Sequence, residues 1–234
     1  MAPSNRSPLD SSAGRGTATL DESQPLLLAS GSPRRREILA NLGVPTHVMP
    51  VDIDESVAPG EGPDAYLVRI VAAKLEAACA LFAKTGAEGA PGDTLQGVSA
   101  ASAAGAVLVA DTSVIDDGAI LGKPSDPADA ERMIARLAGN THEVWTRFAI
   151  GAPEHPARVL HQETVVTRVT FRPLTTEQVR RYVASGEGID KAGAYAIQGR
   201  GAGLVSRIEG SYSNVVGLPA CEVAVALERL GLFP

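Results

Sequence analysis

Residues 26–43 read Leu-Leu-Leu-Ala-Ser-Gly-Ser-Pro-Arg-Arg-Arg-Glu-Ile-Leu-Ala-Asn-Leu-Gly, and this stretch decides the fold. The leucines form an apolar run bounded by small polar residues, the pattern of a short buried strand. Ser32-Pro33 then supplies an N-cap followed by proline at the first helical position. Ile38, Leu39 and Leu42 share one helical face, and Gly43 ends the helix where a left-handed residue is wanted. A strand that gives way directly to a helix is the unit from which α/β folds are built.

The same alternation continues outward. A second helix is expected over about 64–82, with Leu67, Ile70, Val71, Ala78 and Leu81 at helical spacing. Residues 107–110 read as a buried strand, and Asp116-Asp117-Gly118 as the turn that starts its return. Asp126-Pro127 opens a helix with Met133, Ile134 and Leu137 on its core face and Gly139 as its stop. Strands are expected over 143–151 and 164–172, a capping box at Thr175 to Gln178, and a last helix over about 221–230. Some neighbouring strands are close enough for hairpins, so the expectation is α/β with a mixed sheet. Residues 1–24 are polar and lack apolar surface to offset ordering, which predicts a disordered tail ahead of one domain over 25–234. Residues 84–105 dissolve into Gly, Ala and Ser and read as a flexible surface insertion.

Composition narrows the function classes. Of the 234 residues 44% are hydrophobic, enough for one substantial core. Lys and Arg number 21 against 27 Asp and Glu, a net charge of -6 that argues against a surface built to coat nucleic acid but allows a local cationic pocket. No apolar run approaches the roughly 20 residues of a membrane span, and the first residues lack the apolar stretch of a signal peptide. Cys79 and Cys221, far apart, read as buried free thiols in a reducing compartment, so the cytoplasm is expected.

Four segments carry chemistry. Ser30-Gly31-Ser32-Pro33-Arg34 lies where a strand meets a helix N-terminus, whose free N–H groups and dipole suit an anion. Arg34 adds a planar fork that fits phosphate oxygens. Cations at a helix N-terminus oppose the dipole, so Arg34-Arg35-Arg36 needs another reason. No P-loop pattern occurs. Lys74 lies on the apolar stripe of its helix, either as a stem snorkelling from the core edge or as a cation aimed into a cleft. Asp111-Thr112 follows a strand directly, where a carboxylate is either a strand terminator or a holder of Mg²⁺ or of a nucleophilic water. Lys123 could return a second cation to that rim or be a plain surface lysine. Gln198, in the small-residue segment 190–199 with Lys191, carries the donor and acceptor needed to read a base edge, or ties down a loop. His47, His142, His155 and His161 show no metal-ligand spacing.

Together these segments resemble the Maf (septum formation) family, in its branch that prefers dTTP and UTP. The pieces are LLLASGSPRRREIL, DIDES, VAAK, VADTSVIDDGAILGKPSD, LAGNTHEVWT, VTRVTFR, YVASGEGIDKAGAYAIQG and GSYSNVVGLP, in order from about residue 26 to 230. Ser113 and Asn140 depart from the family pattern, and the tail and the 84–105 insertion have no counterpart in it. The resemblance implies a twisted sheet between two α/β lobes with a nucleotide in the cleft, of the Maf/inosine triphosphatase-like kind. It implies hydrolysis of a nucleoside triphosphate to monophosphate and pyrophosphate with Mg²⁺ or Mn²⁺. By position it makes Asp111 the acidic residue that activates water, with Glu55 a second metal carboxylate. Arg34, Thr112 and Gln198 fall on its specificity positions, and Ser30, Lys74, Lys123 and Lys191 on other pocket positions. It also implies a homodimer, while the net charge of -6 disfavours a nucleic-acid module built on Arg34 to Arg36 and the lack of a long apolar run predicts no membrane partner. A regulator of cell division that senses nucleotides and acts by binding a protein is the alternative, and multiple turnover separates the two.

Overall fold

The computed structural model describes residues 19–87 and 104–233. Strand β1 (Leu26–Leu28) leads into helix α1 (Pro33–Asn41), then β2 (Thr46–Val48) and the long helix α2 (Pro63–Ala87). After the undescribed segment come β3 (Ala106–Asp116), β4 (Ala119–Leu121), α3 (Pro127–Leu137), β5 (Thr141–Ala152) and β6 (His155–Phe171). Helix α4 (Thr176–Val183), two 3₁₀ turns (Ala192–Ala194 and Gly199–Gly203), β7 (Val205–Glu209), α5 (Tyr212–Val216) and α6 (Ala220–Arg229) complete the described chain. No helix among the described residues is long and apolar enough to cross a membrane.

The seven strands form one open mixed sheet in the order β2-β1-β3-β5-β6-β7, with β4 paired to β3. Strands β2, β1 and β3 run parallel, and the remaining pairings are antiparallel. The three leucines of β1 are fully buried because the sheet is covered on both faces there. Leu26 and Leu28 pack with Leu39, Val223 and Leu227 on one face, while Leu27 packs with Val71, Leu75 and Phe82 on the other. A second core, around Ile134, Leu137, Phe171, Val179 and Tyr182, fills the other lobe. Strands β3 and β5 run through both lobes: Leu108 and Phe148 belong to the first core, Val114 and Val144 to the second.

One feature of β3 makes the cleft. Its β1 pairing ends at Leu108 and its β4 pairing begins at Val114, on the same edge. Among the described residues, 109–113 therefore have a strand neighbour only on the β5 side. The sheet forks there, and Asp111 and Thr112 stand in the fork. Side chains alternate across a strand, so the two point to opposite faces.

Several expectations change. Asp111 and Thr112 lie mid-strand, not after the strand's end; their polarity reads as a stop in sequence but is met by partners on each face. Helix α2 reaches Ala87, so the expected insertion begins inside a helix, and its residues 88–103 lie outside the described chain. Cys221 is exposed rather than buried, on the solvent side of α6, whereas Cys79 is buried. Strands β2 and β7 and helix α5 are too short to declare a period. Of the expected tail, residues 1–18 lie outside the described chain, but Leu20 is buried and its N–H donates to the Leu232 carbonyl at 2.8 Å. Leu20 therefore belongs to the first core. Leu20→Ala should lower stability by about 2–4 kcal/mol, as for other buried leucines. Denaturant unfolding reads this, and an unchanged midpoint would return residues 19–24 to the tail.

Candidate active site

The fork opens into a cavity of about 750 Å³, within the span of roughly 300–1,000 Å³ usual for small-molecule sites. Its lining includes Arg34, Arg35, Lys74, Lys123 and Lys191, five cations, against the carboxylates of Glu55, Asp111 and Asp190. In a chain of net charge -6 this local surplus of positive charge marks a place for an anion.

On one face of β3 the centre is Lys74. The residue is 7% exposed, and its ammonium lies 2.7 Å from Asp111 Oδ1 and 2.7 Å from Glu55 Oε1. The snorkelling alternative does not describe it; α2 delivers this lysine inward to bridge two carboxylates. Burial alone would raise the Glu55 pKa, but the Lys74 hydrogen bond and charge, helped by Lys123 and Arg35, hold it below the usual carboxylate range. Lys123, largely exposed, stands 3.9 Å from Glu55 Oε2. Tyr66 fixes the segment carrying Glu55 by donating to the Glu55 carbonyl at 3.1 Å.

On the other face Arg35, which the sequence did not separate from its neighbours, holds three elements together. Its Nε donates to the Gly217 carbonyl at 2.8 Å, Nη1 to Ser30 Oγ at 3.0 Å and Nη2 to Thr112 Oγ1 at 3.2 Å. Arg34 Nε donates to the Val216 carbonyl at 3.3 Å, which leaves its Nη groups to the cavity it lines. Two of the three arginines thus answer carbonyls at the end of α5, the reason they tolerate a helix N-terminus. Ser32 occupies the cap position of α1, yet its side chain makes no capping bond, so the first-turn N–H groups have no side-chain partner there. Ser30 sits behind the lining and is held by Arg35.

The third wall is the segment 190–198. Lys191 pairs with Asp190, and the Gln198 amide makes no hydrogen bond among the described residues although it lines the cavity. The loop that carries Gln198 is clamped by Glu187, whose carboxylate accepts from Arg200 N at 2.9 Å and Gly201 N at 2.8 Å. A side chain at Gly199 would collide with that carboxylate, and its positive φ of 63° suits glycine in any case. Tyr195 is anchored by His142 at 2.8 Å, a buried contact. Thus Asp111, Glu55, Lys74, Lys123, Arg34, Thr112, Lys191 and Gln198 line one cavity. Missed in the sequence were Arg35, Tyr66, Glu187 and the buried pair Thr146 and Asn214. Nothing local distinguishes these; only strand register and loop closure bring them in.

An α/β protein with two lobes on one sheet, facing each other across a largely cationic cleft, is the class these features define. The chain belongs to the Maf family: the family's model, described as Maf-like protein, matches residues 25–230. It is 44% identical over 206 residues to the dTTP/UTP pyrophosphatase of Geotalea uraniireducens (strain Rf4), covering 88% of this chain and 95% of that protein. It is 47% identical over 208 residues to the dTTP/UTP pyrophosphatase of Moorella thermoacetica (strain ATCC 39073 / JCM 9320), with the same coverage of both chains.

His142 gives this region a pH dependence. Burial pushes its pKa down to about 4, with Asp116 opposing weakly. Between the ordinary histidine value near 6.5 and about 4, the unfolded chain takes up a proton that the folded chain refuses. Stability is therefore full above about pH 6.5 and declines as pH falls toward 4, by up to about 3 kcal/mol from this group. His142→Gln should flatten the slope of unfolding free energy between pH 4.5 and 6.5; equal slopes in variant and wild type would contradict this.

Proposed function

We propose that this chain hydrolyses dTTP and UTP to the nucleoside monophosphate and pyrophosphate. The observation that carries the reading is the Asp111 carboxylate, held by a buried ammonium inside a cavity whose lining carries five cations in all and, at Gln198, an amide with no hydrogen bond among the described residues. Phosphates suit the Arg34 fork, the α1 N-terminus and the lysines; a base edge suits Gln198. The relatives named dTTP/UTP pyrophosphatase, at 44% and 47% identity over most of the chain, support the same substrates.

In this reading Asp111 holds the attacking water in line with the α-phosphorus and draws off its proton. The cations stabilise the charge that gathers on the departing pyrophosphate, so the protein's contribution is positioning and electrostatics. A divalent metal, Mg²⁺ or Mn²⁺, fits the donor set. Asp111 and Glu55 are hard oxygen ligands on one cavity wall, and no cluster of three His, Cys, Asp or Glu side chains occurs among the described residues. Mg²⁺ commonly takes one or two carboxylates and completes its shell with waters and substrate phosphates. Asp111 and Glu55 would hold it, and when bound it would withdraw charge from the phosphate oxygens. A cytoplasmic setting, which suits two free cysteines, and a homodimer complete the proposal.

Asp111→Asn, which keeps an oxygen to accept from Lys74, should still fold, with reduced stability, and lose about a hundredfold to ten-thousandfold in turnover. Near-normal turnover in a well-folded variant would remove Asp111 from the chemistry. For base choice, kcat/KM should favour dTTP and UTP over CTP, dATP and GTP by about tenfold or more, and Gln198→Ala should lose most of that preference. A thymine or uracil edge offers an acceptor beside an N–H, which an amide can answer; cytosine reverses the pair. If Gln198→Ala slows every substrate equally, Gln198 only supports its loop.

A further inference from the structure

We propose that Thr146 is a positioning residue for base or sugar selection. It keeps the Thr112 hydroxyl proton pointed into the protein, so that Thr112 meets a nucleotide only as a hydrogen-bond acceptor. The inference rests on the pyrophosphatase reading and deepens it.

The direction follows from what each atom can do. Thr112 and Thr146 are register partners on β3 and β5, which brings their hydroxyl oxygens to 2.9 Å. Thr146 is fully buried, and its Oγ1 lies 3.0 Å from the Asn214 backbone carbonyl, which can only accept. A hydroxyl has one proton; Thr146 gives it to Asn214 and so can only accept from Thr112. Arg35 Nη2, which can only donate, reaches Thr112 Oγ1 at 3.2 Å. The Thr112 proton thus goes to Thr146, or to the Gly217 carbonyl at 3.3 Å, and both partners lie within the protein. One lone pair of Thr112 takes Arg35, and we assign the other to the cavity whose lining includes Thr112.

The far end of the chain is fixed. Asn214, fully buried, donates through Nδ2 to the Val144 carbonyl at 2.9 Å and to Thr167 Oγ1 at 3.0 Å. A helix terminus anchored in this way cannot easily turn its carbonyl elsewhere, so the polarity is built into the fold.

An acceptor there sorts the parts of a nucleotide. An ionised triphosphate presents only acceptors and is repelled, which assigns Thr112 to the nucleoside. A donor of the nucleoside, either a ring N–H or a sugar hydroxyl, is welcomed. Thymine and uracil carry N3–H, whereas cytosine has a lone pair at that position and would face the Thr112 lone pair.

The test compares kcat/KM for dTTP, CTP and 3′-deoxythymidine triphosphate in wild type, Thr146→Val and Thr146→Ser. Valine keeps the shape and removes the 2.9 Å acceptor, so that only the longer 3.3 Å contact to the Gly217 carbonyl holds the Thr112 proton inward; serine keeps the chain. If the donor is the ring N–H, the dTTP to CTP ratio should shrink about tenfold in Thr146→Val and persist in Thr146→Ser. If it is the sugar hydroxyl, the penalty for removing the 3′-hydroxyl should shrink instead. Both ratios unchanged in Thr146→Val, with all substrates slowed alike, would overturn the proposal. Should valine prevent folding, Thr146→Cys, whose thiol is a weak acceptor, must shift one ratio in the same direction. A wild type that does not turn over dTTP fails the underlying function, and the ratios of dissociation constants for the same three nucleotides then decide the polarity by the same criterion.

Discussion

A single ammonium group, buried between two carboxylates, sets the geometry on which the cleft depends. Lys74 would be costly to bury alone, because desolvating a charge is unfavourable unless partners replace the water. Asp111 and Glu55 replace it, each at 2.7 Å, and in doing so they tie three separate parts of the chain to one point: α2, the segment before it, and the middle of β3. The dependence is mutual. Two carboxylates beside one cavity would repel each other without the cation between them. Held as they are, both stay available as oxygen donors facing an anionic substrate.

The fork in the sheet makes this arrangement useful. Because β3 loses its β1 neighbour after Leu108 and gains β4 only at Val114, one cavity reaches both faces of the same strand. Asp111 looks toward Lys74 on the α2 face. Thr112, one residue later, looks toward Arg35 and the end of α5. The carboxylate proposed to activate water and the hydroxyl proposed to meet the nucleoside are thereby separated by a single peptide unit. The rigidity comes from β5, which pairs with β3 without interruption behind the fork and supplies Thr146 opposite Thr112.

The sequence revealed the parts whose information is local. The strand-to-helix passage at residues 26–43, the capping box at Thr175 and the proline-led helix at Asp126 appear where read, because caps and apolar periods are written within a few residues, although Ser32 holds its cap position without a side-chain capping bond. The mixed α/β class followed from them. What stayed hidden depends on long-range pairing. Strand β3 was cut short at Ala110 because Asp111 and Thr112 are polar, and only their partners 37 and 34 residues away, Lys74 and Thr146, explain why a strand can carry them through the core. Arg35 was indistinguishable from Arg34 and Arg36 until α5 came to lie against it. Leu20 looked like tail because one leucine among polar residues has no period; its partner is Leu232, at the opposite end of the chain.

The central claim is that Asp111 directs water at the α-phosphorus inside this cleft. Hydrolysis of dTTP by the wild-type protein in ¹⁸O-labelled water, with both products analysed by mass spectrometry, tests it most directly. The account predicts one labelled oxygen in the thymidine monophosphate and none in the pyrophosphate. Label in the pyrophosphate, or release of orthophosphate in its place, would contradict it.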